Sequence, residues 1–276
     1  MIVLIAGAHG RLGSRLVALL LSRGHTVRAM VRTDGQAAAL REVGADAIVA
    51  DLRGDVEWSA EGCDAAIFAA GARHRAQLGA IDAGGAIKLA EAADRFDLIS
   101  FVLCSVVGAG HPERRQGGVR EFFEAKHHAE RQVARLNLPW SILRFGRLTE
   151  QPGTGRIEVA PTPGMPLTTS RDDAALAIAE TLRREHLRRQ VVNVIDGDRA
   201  VADALDTVPP LPLPSPPAAP TGARAPLGAA QADNPPDDSD MIAPDAAPLD
   251  ADVEWVGDGP VPPEPVGNED PAPGIP

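Results

Sequence analysis

Along residues 1–205, short apolar runs alternate with amphipathic stretches, and the chain reads as strand, helix, strand, helix throughout. Val3-Leu4-Ile5-Ala6 carries no charge, as expected of a strand buried on both faces of a parallel sheet. Ser14 to Gly24 has helical spacing and stops on glycine. His25 to Arg32 predicts a second strand, Gln36 to Val43 a helix, and Ala47 to Ala50 a third strand ending at Asp51. A fourth strand follows at Asp64 to Ala72, then a long helix over Gln77 to Phe96, with Ile81, Leu89 and Ala92 on its apolar face and Gly84-Gly85 weakening its start. Leu98 to Ser105 predicts a fifth strand, His111 to Arg120 a polar loop able to cover a site, and Phe122 to Leu136 a helix. Trp140 to Phe145 is a sixth strand, Pro152 to Gly155 a turn, Arg171 to Glu185 a helix, and Val191 to Ile195 the strand expected to close the sheet. Such alternation predicts an α/β fold, a Rossmann-type doubly wound parallel sheet.

The first strand runs directly into Gly7-Ala8-His9-Gly10-Arg11-Leu12-Gly13, three glycines spaced by three, and then into the first helix. Each glycine has a physical use. Gly7 lets the chain turn off the strand, Gly10 clears a path for a pyrophosphate, and Gly13 lets helix and strand pack closely. The helix amino terminus would then face the phosphates with unpaired N–H groups and the positive end of its dipole. A nicotinamide dinucleotide is the expected ligand.

Arg32, at the end of the second strand, sits where a basic residue accommodates the 2′-phosphate of NADP and an acidic one binds the ribose of NAD. NADP(H) is therefore favoured over NAD(H), with Asp34 the residue that would serve NAD. Asp51 would accept the adenine amino group or simply finish a turn. The small residues Ala69, Ala70 and Gly71 would let the fourth strand pass beside the cofactor.

Composition divides the chain. Residues 208–276 hold 19 of the 25 prolines, 12 of the 38 acidic residues and one basic residue, Arg224. The net charge of −11 thus belongs to this stretch, since residues 1–207 balance 26 acidic against 26 basic side chains. Residues 1–207 are expected to form the NAD(P)-binding domain. Residues 208–276 are expected to be a disordered Pro/Ala/Asp-rich acidic tail, because they cannot bury enough apolar surface to fold. Within it, the apolar island Val253-Glu254-Trp255-Val256 would dock on a protein partner or remain an unstructured cluster. Nothing basic enough for nucleic acid is apparent. The longest fully apolar run, Leu16 to Leu21, is too short to cross a bilayer, and no signal peptide is visible. Cys63 and Cys104 lie in or beside apolar runs, which suits buried thiols in a reducing compartment. A cytoplasmic protein with no membrane partner and no metal is expected.

The glycine motif, Asp51-Leu52, Ala69-Ala70-Gly71, Phe101 to Ala109, Ala125-Lys126, Leu143 to Thr149 and Arg171-Asp172-Asp173-Ala174 together resemble the atypical short-chain dehydrogenase/reductase superfamily. The branch it is most similar to is that of small NAD(P)H-binding proteins, NmrA-like and flavin- or biliverdin-reductase-like. The resemblance implies a cofactor site at Gly7 to Gly13, Arg32, Asp51, Leu52, Ala69 to Gly71 and Lys126. It also implies chemistry by a serine and by a tyrosine four residues before a lysine, the tyrosine moving a proton while hydride moves to or from the nicotinamide. Here Lys126 matches the lysine, but the tyrosine position is Phe122, and the chain contains no tyrosine. The usual serine pair appears as Ser105-Val106.

A phenyl ring cannot donate a proton. Hydride transfer to a flat ring that takes its proton from solvent, such as a flavin or quinone, needs no tyrosine. Phe122, Phe123 and Phe145 would line a slot for such a ring or pack in the core. Lys126, Ser105 and His111 are the candidate catalytic groups, His111 as a proton donor from the covering loop. His9 would bond a phosphate or serve as an exposed spacer. His127 and His128 point to different faces of their helix. Three functions compete: an NADPH-dependent reductase, a non-catalytic sensor of NADP redox state, and, more weakly, an epimerase or dehydratase.

Overall fold

The computed structural model describes residues 1–163 and 167–210. Of the stretch expected as a tail, residues 208–210 are described, with Val208 packed against the core and the Pro209 carbonyl accepting from Gln190 at 2.7 Å; residues 211–276, including the Trp255 island, lie outside the described residues. The first six strands in chain order stand where they were expected: β1 (Ile2–Ala6), β2 (Thr26–Val31), β3 (Asp46–Val49), β4 (Ala65–Phe68), β5 (Ser100–Val106) and β6 (Trp140–Phe145). Short strands follow at β7 (Arg147–Thr149), β8 (Arg156–Val159) and β9 (Thr168–Ser170), then β10 (Gln190–Asp196) and β11 (Arg199–Ala200). The helices are α1 (Arg11–Ser22), α2 (Asp34–Glu42), α3 (Gly84–Arg95), α4 (Gly117–Val133), α5 (Arg171–Thr181) and α6 (Val201–Leu205).

The nine-stranded sheet has the order β11-β8-β10-β6-β5-β4-β1-β2-β3, while β7 and β9 make a separate parallel pair. Strands β3 to β10 in that row pair parallel, and β8 and β11 join antiparallel. The order grows outward in two directions from β1, so β1 and β4 flank the crevice where such folds bind ligands.

Alternation along β1 shows why the run had to be wholly apolar. Val3 and Ile5 enter the core beneath α1 and α5, whereas Leu4 and Ala6 enter the core beneath α3 and α4. Helix α1 buries Leu12, Leu16, Val17 and Leu20, a stripe at helical spacing. It ends where Gly24 turns left-handed at φ +75° and its N–H and that of His25 close on Leu21 and Leu20 carbonyls.

Three expectations need correction. Val191–Ile195 does not close the sheet, because β8 and β11 extend it beyond β10. These strands, with β7 and β9, are two to four residues long and largely polar, too short to show a period. The covering loop is shorter than expected, since α4 begins at Gly117 and not at Phe122; two glycines at its start concealed it. Finally, the helix expected over Gln77–Phe96 is broken. A 3-10 turn at Arg75–Gln77 and a π turn at Gly79–Ala83 precede α3. Among the described residues, no helix is long and apolar enough to cross a membrane.

A methyl group at Gly13 would lie 2.0 Å from the Gly7 carbonyl oxygen, whereas one at Gly24 would meet nothing within 4 Å. Gly24→Ala should therefore cost about 1–2 kcal/mol, the left-handed backbone penalty alone. Gly13→Ala should cost about 3 kcal/mol or more, since helix and turn must separate. Urea unfolding of both variants checks this; equal losses would contradict the close packing of α1 on the turn.

Candidate functional site

Two adjoining clefts open at the carboxyl ends of β1, β2, β4, β5 and β6. They share Gly10, Ala69, Ala70 and Gly71. The first, about 690 Å³, is lined also by Gly7, His9, Met30, Val31, Arg32, Gln36, Ala50, Asp51, Leu52, Arg73 and Ile81. The second, about 790 Å³, is lined also by Arg11, Leu12, Asp82, Cys104, Ser105, Val106, Phe122, Lys126, Phe145, Gly146, Leu148 and Arg171.

The turn between the clefts is built for close approach. Gly7 adopts φ +85°, and a Cβ there would stand 2.7 Å from the Ala70 Cα. The Gly10 N–H donates to the Gly7 carbonyl at 2.9 Å, which tightens the turn. Gly10 caps α1 with extended backbone and no side-chain bond, and the first turn of α1 holds no acidic residue. The amides of that turn thus face the shared floor of both clefts with a positive dipole end, a setting suited to a phosphate. A nicotinamide dinucleotide fits the site as built: glycines clear the backbone, and the two clefts could take its two nucleotides.

In the first cleft, Arg32 is exposed at the end of β2, and its N–H donates to Gln36 Oε1 at 3.1 Å. Asp34 starts α2 and is exposed; it is not among the residues lining either cleft. Asp51 receives the Arg53 N–H at 2.9 Å and its guanidinium at 2.5–3.1 Å. Those bonds hold its carboxyl down at about 2. Asp51 therefore stays ionised through the neutral range; its bonds to Arg53 lock the turn, and it still lines the first cleft.

The second cleft is arranged differently. Lys126, on α4, is almost fully buried and pairs with Asp82 at 3.0 Å; its ammonium also lies 5.7 Å from the centroid of the Phe122 ring. Asp82 receives the Ala72 N–H at 2.8 Å, tying the chain after β4 to the same pair. Ser105 donates to Glu130 Oε1 at 2.5 Å, and Arg144 grips both oxygens of that carboxylate at 3.0 and 2.6 Å. Leu12, Leu148, Phe122 and Phe145 supply apolar wall, whereas Phe123 is buried under Arg115, 4.6 Å above its ring. His111 is exposed beside Glu113 and is not among the residues lining either cleft. His127 and His128 likewise stand outside both. Burial raises the Cys104 thiol to about 12.

A model of NAD(P)H-binding proteins matches residues 7–185. The chain belongs to this family, within the atypical short-chain dehydrogenase/reductases. The chain is 33% identical to the uncharacterized sugar epimerase YhfK of Bacillus subtilis over 210 residues, 74% of this chain and 98% of that protein. Among solved structures, a Bacillus halodurans protein described as an NAD-dependent epimerase/dehydratase shares 32% identity, covers 75% of this chain and 99% of its own, and superposes with a TM-score of 0.71. The oxidoreductase YlbE of Lactococcus lactis shares 26% identity over 75% of this chain and 96% of its own, with a TM-score of 0.69.

Ser105 and Lys126 in the second cleft are each held by a buried carboxylate. Sequence reasoning found Ser105 and Lys126 but missed their partners, Glu130 and Asp82. A signal existed. Asp82 stands four residues after Leu78, and Glu130 seven after Phe123, so each places a carboxylate on the buried face of its helix. Arg144 carried a signal too, since it alternates with Trp140 and Ile142 on the face of β6 that meets α4, whereas Arg73 lies in the irregular segment after β4.

Two outcomes follow. Removing one partner of the buried pair should be costly, so Asp82→Asn should lower stability by about 3–5 kcal/mol, and adding Lys126→Met should recover most of it. Urea unfolding reads both; a loss within about 0.5 kcal/mol for the single variant would contradict the pairing. Cys104 keeps its proton when folded, so stability should fall as pH climbs from 9.0 towards about 12, and Cys104→Ala should flatten that limb of a Tm-versus-pH curve.

Proposed function

We propose that this chain is an NADP(H)-dependent oxidoreductase that reduces a flat, redox-active ring rather than a simple carbonyl. One observation carries the reading: Phe122 occupies the wall of the second cleft beside Lys126, in the place where the superfamily's proton-donating phenol is expected. When bound, the cofactor supplies hydride. The residues of the chain bind and orient. The amides of Arg11, Leu12 and Gly13 hold the pyrophosphate, Ala69 to Gly71 lie against the sugar, and Arg32 takes the 2′-phosphate with Arg73 across the same cleft. Leu12, Phe122, Phe145 and Leu148 give a ring an apolar bed and exclude water from it. A ring that accepts hydride and draws its proton from solvent asks for no tyrosine, which the chain does not contain. The epimerase named among the relatives is less suited to this chain, because removing hydride from a sugar alcohol leaves a hydroxyl proton that some base must accept.

A second reading is supported by the engagement of Ser105 with Glu130 and of Lys126 with Asp82. With both groups already held by buried carboxylates, the protein would bind NADP(H) and report its redox state to a partner without chemistry. The two readings separate in one assay. Purified protein with NADPH and a panel of flavins, quinones and aldehydes should consume NADPH with at least one ring acceptor and not with the aldehydes. NADPH binding with no turnover on any acceptor would leave the sensor. Arg32→Asp should weaken NADPH by about tenfold or more while sparing NADH, since it replaces a charge-assisted bond with a repulsion; equal effects on both would contradict the NADP assignment.

A further inference from the structure

At the rim of the second cleft, one carboxylate serves three guanidiniums. Glu150 accepts from Arg11 at 3.2 Å, Arg15 at 2.9 Å and Arg171 at 2.8 Å. Arg15 also pairs with Asp172 at 2.7 Å. The partners differ sharply in setting. The Arg171 side chain is 6% exposed and lines the cleft at the first position of α5, while Glu150 is 48% exposed on the segment after β7. A buried guanidinium needs an anionic partner, whereas a half-exposed carboxylate loses little by turning into water. Glu150 thus places a half-exposed oxyanion on a buried guanidinium that lines the cleft and is held in place by the Leu148 carbonyl at 3.2 Å.

We propose that Arg171 and Arg11 bind an anionic arm of the ring substrate, a phosphate or carboxylate, which displaces Glu150 when the ring enters the second cleft. This rests on the reductase reading above and adds the charge of its substrate. The planar fork of Arg171 suits an oxyanion, and Glu150, itself an oxyanion, marks its position. Arg11 and Arg171 line the same cleft as Leu12, Leu148, Phe122 and Phe145, so a ring on that apolar surface has both guanidiniums in its own cleft to receive an anionic arm. The cofactor's own pyrophosphate is the less suited occupant. It is served by the amides of the β1–α1 turn, and Arg171 is not among the residues lining the first cleft.

FMN and riboflavin share one ring and differ in a terminal phosphate, so they probe the arm alone. Their binding to the full-length protein saturated with NADP⁺ is read by quenching of flavin fluorescence, without turnover. FMN should bind more tightly than riboflavin by about tenfold or more, as for one charge-assisted pair. Glu150→Gln, which removes the competing carboxylate, should tighten FMN and leave riboflavin unchanged. Arg171→Gln should bring the two flavins to equal affinity; should that variant fail to fold, Arg11→Gln, at an exposed position, should reduce the ratio severalfold. Equal affinities in the unaltered protein, or binding of neither flavin, would overturn the proposal. So would arginine variants that weaken NADP⁺ while the flavin ratio stands, since the anion would then be the cofactor's. FMN preferred but NADPH never consumed contradicts the reductase reading alone; turnover without a preference between flavins contradicts the anion site alone.

Discussion

The β1–α1 turn is pressed between its own helix and the end of β4, and the site depends on that compression. Gly7 must turn left-handed within contact of Ala70, and Gly13 must lie against the Gly7 carbonyl. No side chain fits at either place. The reward is a row of backbone amides at the mouth of α1, uncovered by any cap and flanked by small residues of the neighbouring strand. Because the sheet order diverges at β1, this row stands at the boundary of two clefts and serves both.

Around that neutral, backbone-made centre the two clefts are finished by opposite means. The first has exposed charges, Arg32 and the Asp51–Arg53 pair, set in short turns where water still reaches them. The second is finished by buried charge. Lys126 with Asp82, and Glu130 with Arg144, place ion pairs beneath an apolar wall. Such pairs contribute little net stability, but they fix geometry, because losing either partner strands a charge away from water. The π turn at Gly79–Ala83 is part of this arrangement, since it sets Asp82 both beneath the Ala72 amide and beside Lys126. The chain contains no tyrosine, and Phe122 stands beside Lys126 amid fixed charges and aromatic surface.

Much of this was legible in the sequence because the signals were local. The uncharged β1 run, the glycine spacing and the helical stripe of α1 each follow from contacts within about thirty residues of chain, and such repeats encode their own burial. The doubly wound parallel sheet followed from alternation, and the place of the crevice from the glycine turn after β1; the order of the strands did not. What stayed hidden depends on long-range pairing. Strands β8 and β11 exist because Ile157 and its neighbours pair with β10 and with each other, not because their few residues have strand periodicity. The break before α3 is likewise fixed by Asp82 finding the Ala72 amide and Lys126, residues ten and forty-four positions away. His111 was placed near the chemistry by loop length, and the early start of α4 and the turn at Pro112–Arg114 leave it outside both clefts.

The proposed function requires a dinucleotide diphosphate to rest on the amides at the start of α1. Backbone amide NMR of the protein titrated with NADP⁺ tests this most directly. The largest shifts should fall on Gly10 to Gly13 and on Ala69 to Gly71, saturating together with binding. NADP⁺ binding that leaves those amides unmoved, or no binding at all, would contradict it.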